Sequence, residues 1–301
     1  MPSLQHAVVS RIVPVLRRNM SPDDIPAMRA ALTNANRMAQ EGPPKDVRRT
    51  HEETVSNVHG FPVFTLWRPG AEPSGKKVLY LHGGGYVRPT DHRHWRFATR
   101  LADALGARAV LPTYPLAPEF TIEDSFEEMV EIFEEIASQS PEGVVLVGDS
   151  AGGGYALALA EELRDRGGAQ PDRLVLMAPW VDLTGTTPGV LEASESDPWL
   201  SYPHLSIYAA MWAGTDDPAR LASPRVSPGL GDLEGLPPTL MLTGTRDLLQ
   251  PGCDALFARA EEADWPMEYA VAPGLIHVYP LLPIPEAREA FEQIVHFCRH
   301  G

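Results

Sequence analysis

The feature that most restricts the fold of this chain is a series of short apolar runs without polar alternation. They are VLYL (78–81), ARAVL (107–111), VVLVG (144–148), LVLMA (174–178), TLMLT (239–243) and EYAVA (268–272). A strand with one wet face alternates apolar and polar residues, so runs of this kind suit strands covered on both faces. Helical patterns lie between them. Over 125–137, Phe126, Met129, Val130, Phe133 and Ile136 recur at helical spacing, and Ser125 with Glu128 predicts a capping box. Alternating buried strands and helices imply an α/β fold, a mostly parallel sheet wrapped by helices.

Upstream, TVSNV (54–58) and FPVFTLW (61–67) flank His59-Gly60 and predict a hairpin. Residues 40–50 (QEGPPKDVRRT) read as a linker, and Ala7 to Arg17 as an amphipathic helix. The rhythm breaks between the runs at 174–178 and 239–243. The segment 198–214 there predicts a helix capped by Ser201 and ended by Gly214, with Leu205, Tyr208 and Trp212 on one face. The expected organisation is an N-terminal cap segment over 1–45 and a main α/β domain over 46–301. A cap insertion at about 185–215 interrupts that domain. Trp199, Tyr202, Tyr208 and Trp212 concentrate in the insertion. With Tyr86 they are the candidate pocket residues, because aromatic side chains give large apolar area at small entropic cost. A helical aromatic stripe is also the ordinary way to pack a core.

Three motifs carry chemistry. Gly148-Asp149-Ser150-Ala151-Gly152 follows the run VVLV and precedes the helical stretch GGYALALAEELRDR. A GxSxG between strand and helix is the nucleophile elbow, a turn so sharp that side chains at the glycines would clash. His82-Gly83-Gly84-Gly85-Tyr86 follows VLYL directly. Its glycines let backbone N–H groups approach a developing oxyanion, with Gly83, Gly84 and Ala151 as the expected donors. His82 is read as a brace of that loop. A serine needs a base, and His277 is the candidate because it lies in a loop just after the last apolar run. His92, His94 and His204 read as surface or cap residues, and His296 and His300 as structural ones. Asp247 follows TLMLT and is preferred over Asp182, Asp232 and Asp254 as the acid that orients His277.

The formal charge of −15 argues against phosphate backbones and anionic lipid as partners, so neither nucleic acid nor membrane insertion is expected. Two cysteines and no recognisable signal peptide read as a cytoplasmic protein with free thiols. No ligand-spaced His/Cys cluster suggests a metal, and no cofactor is expected. Association into a homo-oligomer stays open.

These motifs resemble the hormone-sensitive-lipase-like (bacterial family IV) esterases. HGGGY (82–86), YPLAPE (114–119), GDSAGG (148–153), PWVDL (179–183) and GLIH (274–277) occur in that family's order, and the resemblance runs from about residue 55 to the C-terminus. It implies an α/β-hydrolase sheet of about eight strands with a helical cap, no cofactor, and hydrolysis of short-acyl carboxylic esters. Many members carry an acidic residue shortly after the triad aspartate; this chain has Gln250, Pro251 and Gly252 there. PWVDLTG and GTRDLLQPG are similar to actinobacterial esterases and lactone hydrolases. Lactone or amide cleavage by the same residues, and a silent ligand-binding protein on the same fold, are the alternatives.

Overall fold

In the computed structural model, residues 2–16, 21–39, 42–57, 59–70 and 75–300 are described. Eight strands form one sheet: β1 (Glu52–Ser56), β2 (Val63–Trp67), β3 (Lys77–Leu81), β4 (Arg108–Pro112), β5 (Val144–Asp149), β6 (Arg173–Met177), β7 (Thr239–Arg246) and β8 (Met267–Ile276). Their order is β1-β2-β4-β3-β5-β6-β7-β8. The pairs β1–β2 and β2–β4 are antiparallel and the rest are parallel. The six apolar runs are β3 to β8. The expected hairpin is β1–β2, although Val58, at the end of the first predicted strand, lies outside the described residues.

The helices are α1 (Leu4–Leu16), α2 (Ile25–Met38), α3 (Lys45–Arg48), α4 (His92–Leu105), α5 (Phe126–Ser138), α6 (Ala151–Asp165), α7 (Val190–Ser196), α8 (Tyr202–Ala213), α9 (Pro218–Leu221), α10 (Gln250–Glu262) and α11 (Pro285–His300). Because successive strand residues point to opposite faces, each run feeds two cores. Leu79, Leu81, Leu146 and Leu176 join residues of α5, α6, α8 and α10. Val78, Tyr80, Val147 and Met177 join residues of α4 and α11. Each fully buried Leu or Val contributes roughly 1.5–3 kcal/mol relative to exposure, and this two-sided burial is why the runs of β3 to β7 lack polar alternation. The run in β8 departs from that expectation: the strand lies at the sheet edge, with Glu268 and Val271 exposed.

Three local readings change. Ser125 precedes α5, but its hydroxyl does not cap the helix; it bonds the buried Tyr155 hydroxyl at 2.8 Å. A 3-10 turn at Ile122–Asp124 leads into α5, and the capping box forms there between Thr121 and Asp124. The stretch read as a linker contains α3, with Val47 buried, although residues 40 and 41 lie outside the description. Helix α1 covers the amphipathic prediction except Arg17, which also lies outside it. Helix α8 ends at Gly214 in the left-handed conformation (φ 77°), as that glycine predicts. The Ser201 hydroxyl pairs with His204 Nδ1 at 2.6 Å instead of capping.

Two contacts of the N-terminal segment bear on the main domain's core and its last strand. Met28 and Leu32 of α2 enter the core on the α5–α6 side. His6 Nε2 of α1 accepts a hydrogen bond from Ile276 N–H at 3.2 Å. Among the described residues no helix is long and apolar enough to cross a membrane.

Candidate active site

The sheet fixes where chemistry can gather. From β3 the chain passes to β4 on one side and, after α5, to β5 on the other. Where strand order reverses in this way, a crevice opens at the carboxyl ends of the strands. The HGGGY loop leaves β3 and the elbow leaves β5, so both motifs meet at that crevice.

Ser150 sits between β5 and α6 with φ 52° and ψ −122°, a conformation L-residues seldom adopt. The flanking glycines are required by contact. A Cβ on Gly148 would lie 2.2 Å from Gly152 O, and one on Gly152 would lie 2.1 Å from Leu81 O. The serine hydroxyl is thereby held off the end of the sheet, at the start of α6.

His277 follows β8 directly, and Asp247 follows β7. His277 Nε2 lies 2.8 Å from Ser150 Oγ, and Nδ1 lies 2.9 Å from Asp247 Oδ2. All three side chains are buried. Asp247 Oδ1 accepts from Leu249 N–H at 2.9 Å, which fixes the carboxylate plane. An ionised carboxylate only accepts, so the Nδ1 proton belongs to the imidazole and Nε2 is left free to accept the serine proton. Burial pulls the His277 pKa down, but Asp247 outweighs it through charge and hydrogen bonding, with Asp197 and Asp149 adding to it. The net direction is upward from the ordinary histidine value.

A second polar layer supports the elbow and the glycine loop. Asp149, buried beside the serine, accepts from Tyr80 OH at 2.7 Å and from Gly83 N–H at 2.9 Å. Burial alone would raise its pKa, but His94, Tyr80 and Gly83 together hold it below the usual carboxylate range. The Gly83 N–H is therefore committed to Asp149 and does not point at substrate, contrary to the sequence expectation. Gly84, Gly85 and Ala151 have N–H groups with no protein acceptor among the described residues. His82 braces the loop as read: its Nδ1 lies 2.7 Å from Gly83 O and its ring stacks on Tyr114 at 4.4 Å. Burial lowers its pKa to about 4. His94 is not a surface residue. It is buried, accepts from Asp91 N–H at 2.9 Å, and faces Asp149 at 3.6 Å.

The cleft over Ser150 is bordered by Gly84, Gly85, Arg93, Trp199, Leu205, Tyr208, His277 and Leu281, among others. Its volume is about 80 Å³, room for several waters at roughly 10–15 Å³ each. Of the five aromatic pocket candidates, Trp199 and Tyr208 line this cleft. Tyr202 lines a separate cavity beside Asp182 and Val190. Tyr86 and Trp212 line neither. They are buried and stacked on each other, with centroids 4.4 Å apart and planes 1° from parallel.

Sequence reading missed Asp197. This buried carboxylate ends α7; Oδ1 accepts from Trp199 N–H (2.6 Å) and Leu200 N–H (3.0 Å), and Oδ2 from Leu248 N–H (2.8 Å). Asp197-Pro198 reads locally as a helix stop and turn. Nothing in the local pattern signals that the carboxylate reaches the loop of Asp247.

Comparison with known proteins bears on the fold and the family. A family model described as the alpha/beta hydrolase fold matches residues 78–281. An acetyl-hydrolase of Streptomyces hygroscopicus is 34% identical over 241 residues, covering 77% of this chain and 78% of that protein. An ethyl acetate hydrolase of Pseudomonas putida is 29% identical over 254 residues, covering 80% and 79%. A crystal structure of an esterase from the bacterial hormone-sensitive lipase family superposes with a TM-score of 0.80 at 28% identity, covering 99% of this chain and 98% of that one. Fold and site together define an α/β hydrolase whose chemistry is carboxylic ester hydrolysis. Within that class, the chain belongs to the hormone-sensitive-lipase-like (family IV) esterases.

Proposed function

We propose that this esterase works through an acyl-enzyme on Ser150, with His277 as general base and acid and Asp247 as the residue that orients it. The observation that carries the reading is the continuous chain Ser150 Oγ–His277 Nε2 (2.8 Å) and His277 Nδ1–Asp247 Oδ2 (2.9 Å). His277 takes the Ser150 proton as Oγ bonds to the ester carbonyl carbon. The negative charge that develops on the carbonyl oxygen is met by N–H groups of the Gly84–Gly85 turn and Ala151. His277 gives its proton to the departing alcohol as the carbon–oxygen bond breaks. Water then attacks the acyl-enzyme with His277 again as base, releasing the carboxylic acid and restoring Ser150.

The substrate is a small, uncharged ester with a short acyl chain. The narrow cleft supports this, as does its wall of Trp199, Leu200, Leu205, Tyr208 and Leu281. The names acetyl-hydrolase and ethyl acetate hydrolase among the relatives point the same way. Residues 1–45 and about 185–215 form the cap in this reading, supported by Trp199 and Tyr208 over the cleft and by His6 against Ile276. A cytoplasmic location is supported by the two buried free thiols, Cys253 and Cys298.

The test is a panel of p-nitrophenyl esters of increasing chain length, run on the wild type and on Ser150→Ala. Turnover should peak at short chains and fall by roughly 10³- to 10⁶-fold in the variant. Wild-type turnover by clean, folded Ser150→Ala ends the proposal, and stoichiometric binding without turnover by the wild type would favour a silent binder.

A further inference from the structure

We propose that Asp197 is a positioning residue for the esterase reaction: one carboxylate that sets the cap segment and the Asp247 loop in register and adds a second carboxylate to the surroundings of His277. This rests on the Ser150–His277–Asp247 reading above.

The geometry is specific. Asp197 is the last residue before the chain turns from α7 towards α8, and its side chain serves two pieces of backbone at once. Oδ1 accepts from Trp199 and Leu200 at 2.6 and 3.0 Å, closing the turn that carries the cap aromatic. Oδ2 accepts from Leu248 at 2.8 Å, fifty-one residues further along. Leu248 sits between Asp247 and Leu249, whose N–H bonds the Asp247 carboxylate. Three backbone donors on one buried carboxylate leave it little freedom. Displacing it moves Trp199 and the Asp247 loop together. Trp199 also matters directly, because its indole stands edge-on to the His277 ring at 5.8 Å and borders the cleft.

An interaction that only held the fold together would not need this placement. A main-chain cap could close the α7–α8 turn, and Asp247 already receives Leu249 N–H by itself. What Asp197 adds is a bond from cap to acid loop and a charge beside the imidazole. The charged groups around that imidazole are Asp247 on the β7 loop, Asp197 on the cap side and Asp149 on the elbow. Arg93 of α4 lies over the Trp199 ring at 5.4 Å. Burial and the neighbouring Asp247 push Asp197 up to about 6, against the pull of His277 and of the Leu248 and Leu200 N–H groups.

Two substitutions separate charge from register. Asp197→Asn keeps the shape and removes the charge, and turns an amide donor towards at least one of the three backbone donors. An ionised Asp197 favours the imidazolium; with it gone the His277 pKa falls, and the acidic limb of kcat/KM moves to lower pH, by about half a unit or more. The same variant should lose at least ten-fold in kcat on p-nitrophenyl acetate, with KM changed less. Asp197→Glu keeps the charge but cannot hold three bonds in the same register. It should lower kcat while leaving the acidic limb where the wild type has it. Rates are normalised to active sites titrated with a serine-directed phosphonate, so that a folding defect is not read as a slow enzyme.

The proposal is overturned if Asp197→Asn keeps wild-type kcat and an unshifted limb. It is equally overturned if only the melting temperature falls while the titrated sites turn over normally. Should Asp197→Asn prove too unstable to assay, wild-type kcat in folded Asp197→Glu overturns it alone. Failure of the underlying reading looks different: there Ser150→Ala or His277→Ala would retain turnover, whatever Asp197 does.

Discussion

Asp247→Asn is the substitution whose cost can be worked most directly from the structure. The carboxylate makes two bonds: Oδ2 accepts from His277 Nδ1–H at 2.9 Å and Oδ1 accepts from Leu249 N–H at 2.9 Å. An amide offers one acceptor and one donor group, so it cannot serve both. If its oxygen keeps Leu249, its NH2 faces Nδ1. The imidazole must then carry its proton on Nε2, pointing at Ser150, where it cannot accept. If the oxygen turns to His277 instead, Leu249 N–H meets a donor inside a site with essentially no exposure. Leaving that N–H unsatisfied costs about 1–3 kcal/mol, and replacing a charged acceptor of the imidazolium by a neutral one costs about 1.5–3 kcal/mol more. The sum is about 2.5–6 kcal/mol, which at about 1.36 kcal/mol per decade is a loss of roughly 10²- to 10⁴-fold in kcat. The assay is steady-state hydrolysis of p-nitrophenyl acetate across pH, alongside a thermal melt. A folded variant within ten-fold of the wild type at its pH optimum would refute the tautomer argument.

The acidic limb of wild-type kcat/KM should lie above the ordinary histidine value of about 6.5. Asp247 raises the His277 pKa, the base works only when neutral, and activity is therefore lost as pH falls through that raised value; a limb below about 6 would contradict this. Trp212→Ala should cost about 3–5 kcal/mol of stability, read by denaturant melts, because its ring is fully buried on Tyr86. It should leave chain-length preference unchanged, whereas Trp199→Ala or Tyr208→Ala should shift that preference with a smaller change in melting. Gly152→Ala should abolish activity, since its Cβ would meet Leu81 O at 2.1 Å and no side chain can yield there; near-normal turnover by that variant would show that the elbow is looser than drawn.

Much of this protein was legible in the chain because its causes are local. Burial on both faces removes polar alternation, so β3 to β7 are visible as apolar runs and the sheet class follows; β8 reads the same way although it is a half-exposed edge strand. The elbow was visible because only glycine fits at 148 and 152. Ser150, Asp247 and His277 were singled out by their positions just after apolar runs, and parallel strands bring the ends of such runs to one edge of the sheet.

What the sequence could not decide depended on partners far along the chain. Gly83 and Gly84 are equivalent in a motif, yet only Gly83 N–H meets the carboxylate of Asp149, sixty-six residues away, and so leaves the pool of free donors. Trp199 and Trp212 belong to one aromatic cluster in the sequence, but the first lines the cleft and the second stacks on Tyr86 in the core. Ser125 has the spacing of a cap and instead bonds Tyr155. Asp197 looks like a helix stop and reaches Leu248. In each case local pattern fixes the backbone conformation and which face is apolar. The direction in which a polar group spends its hydrogen bonds is set by which other donors and acceptors the packed sheet and cap bring within about 3 Å, and only the tertiary structure supplies those.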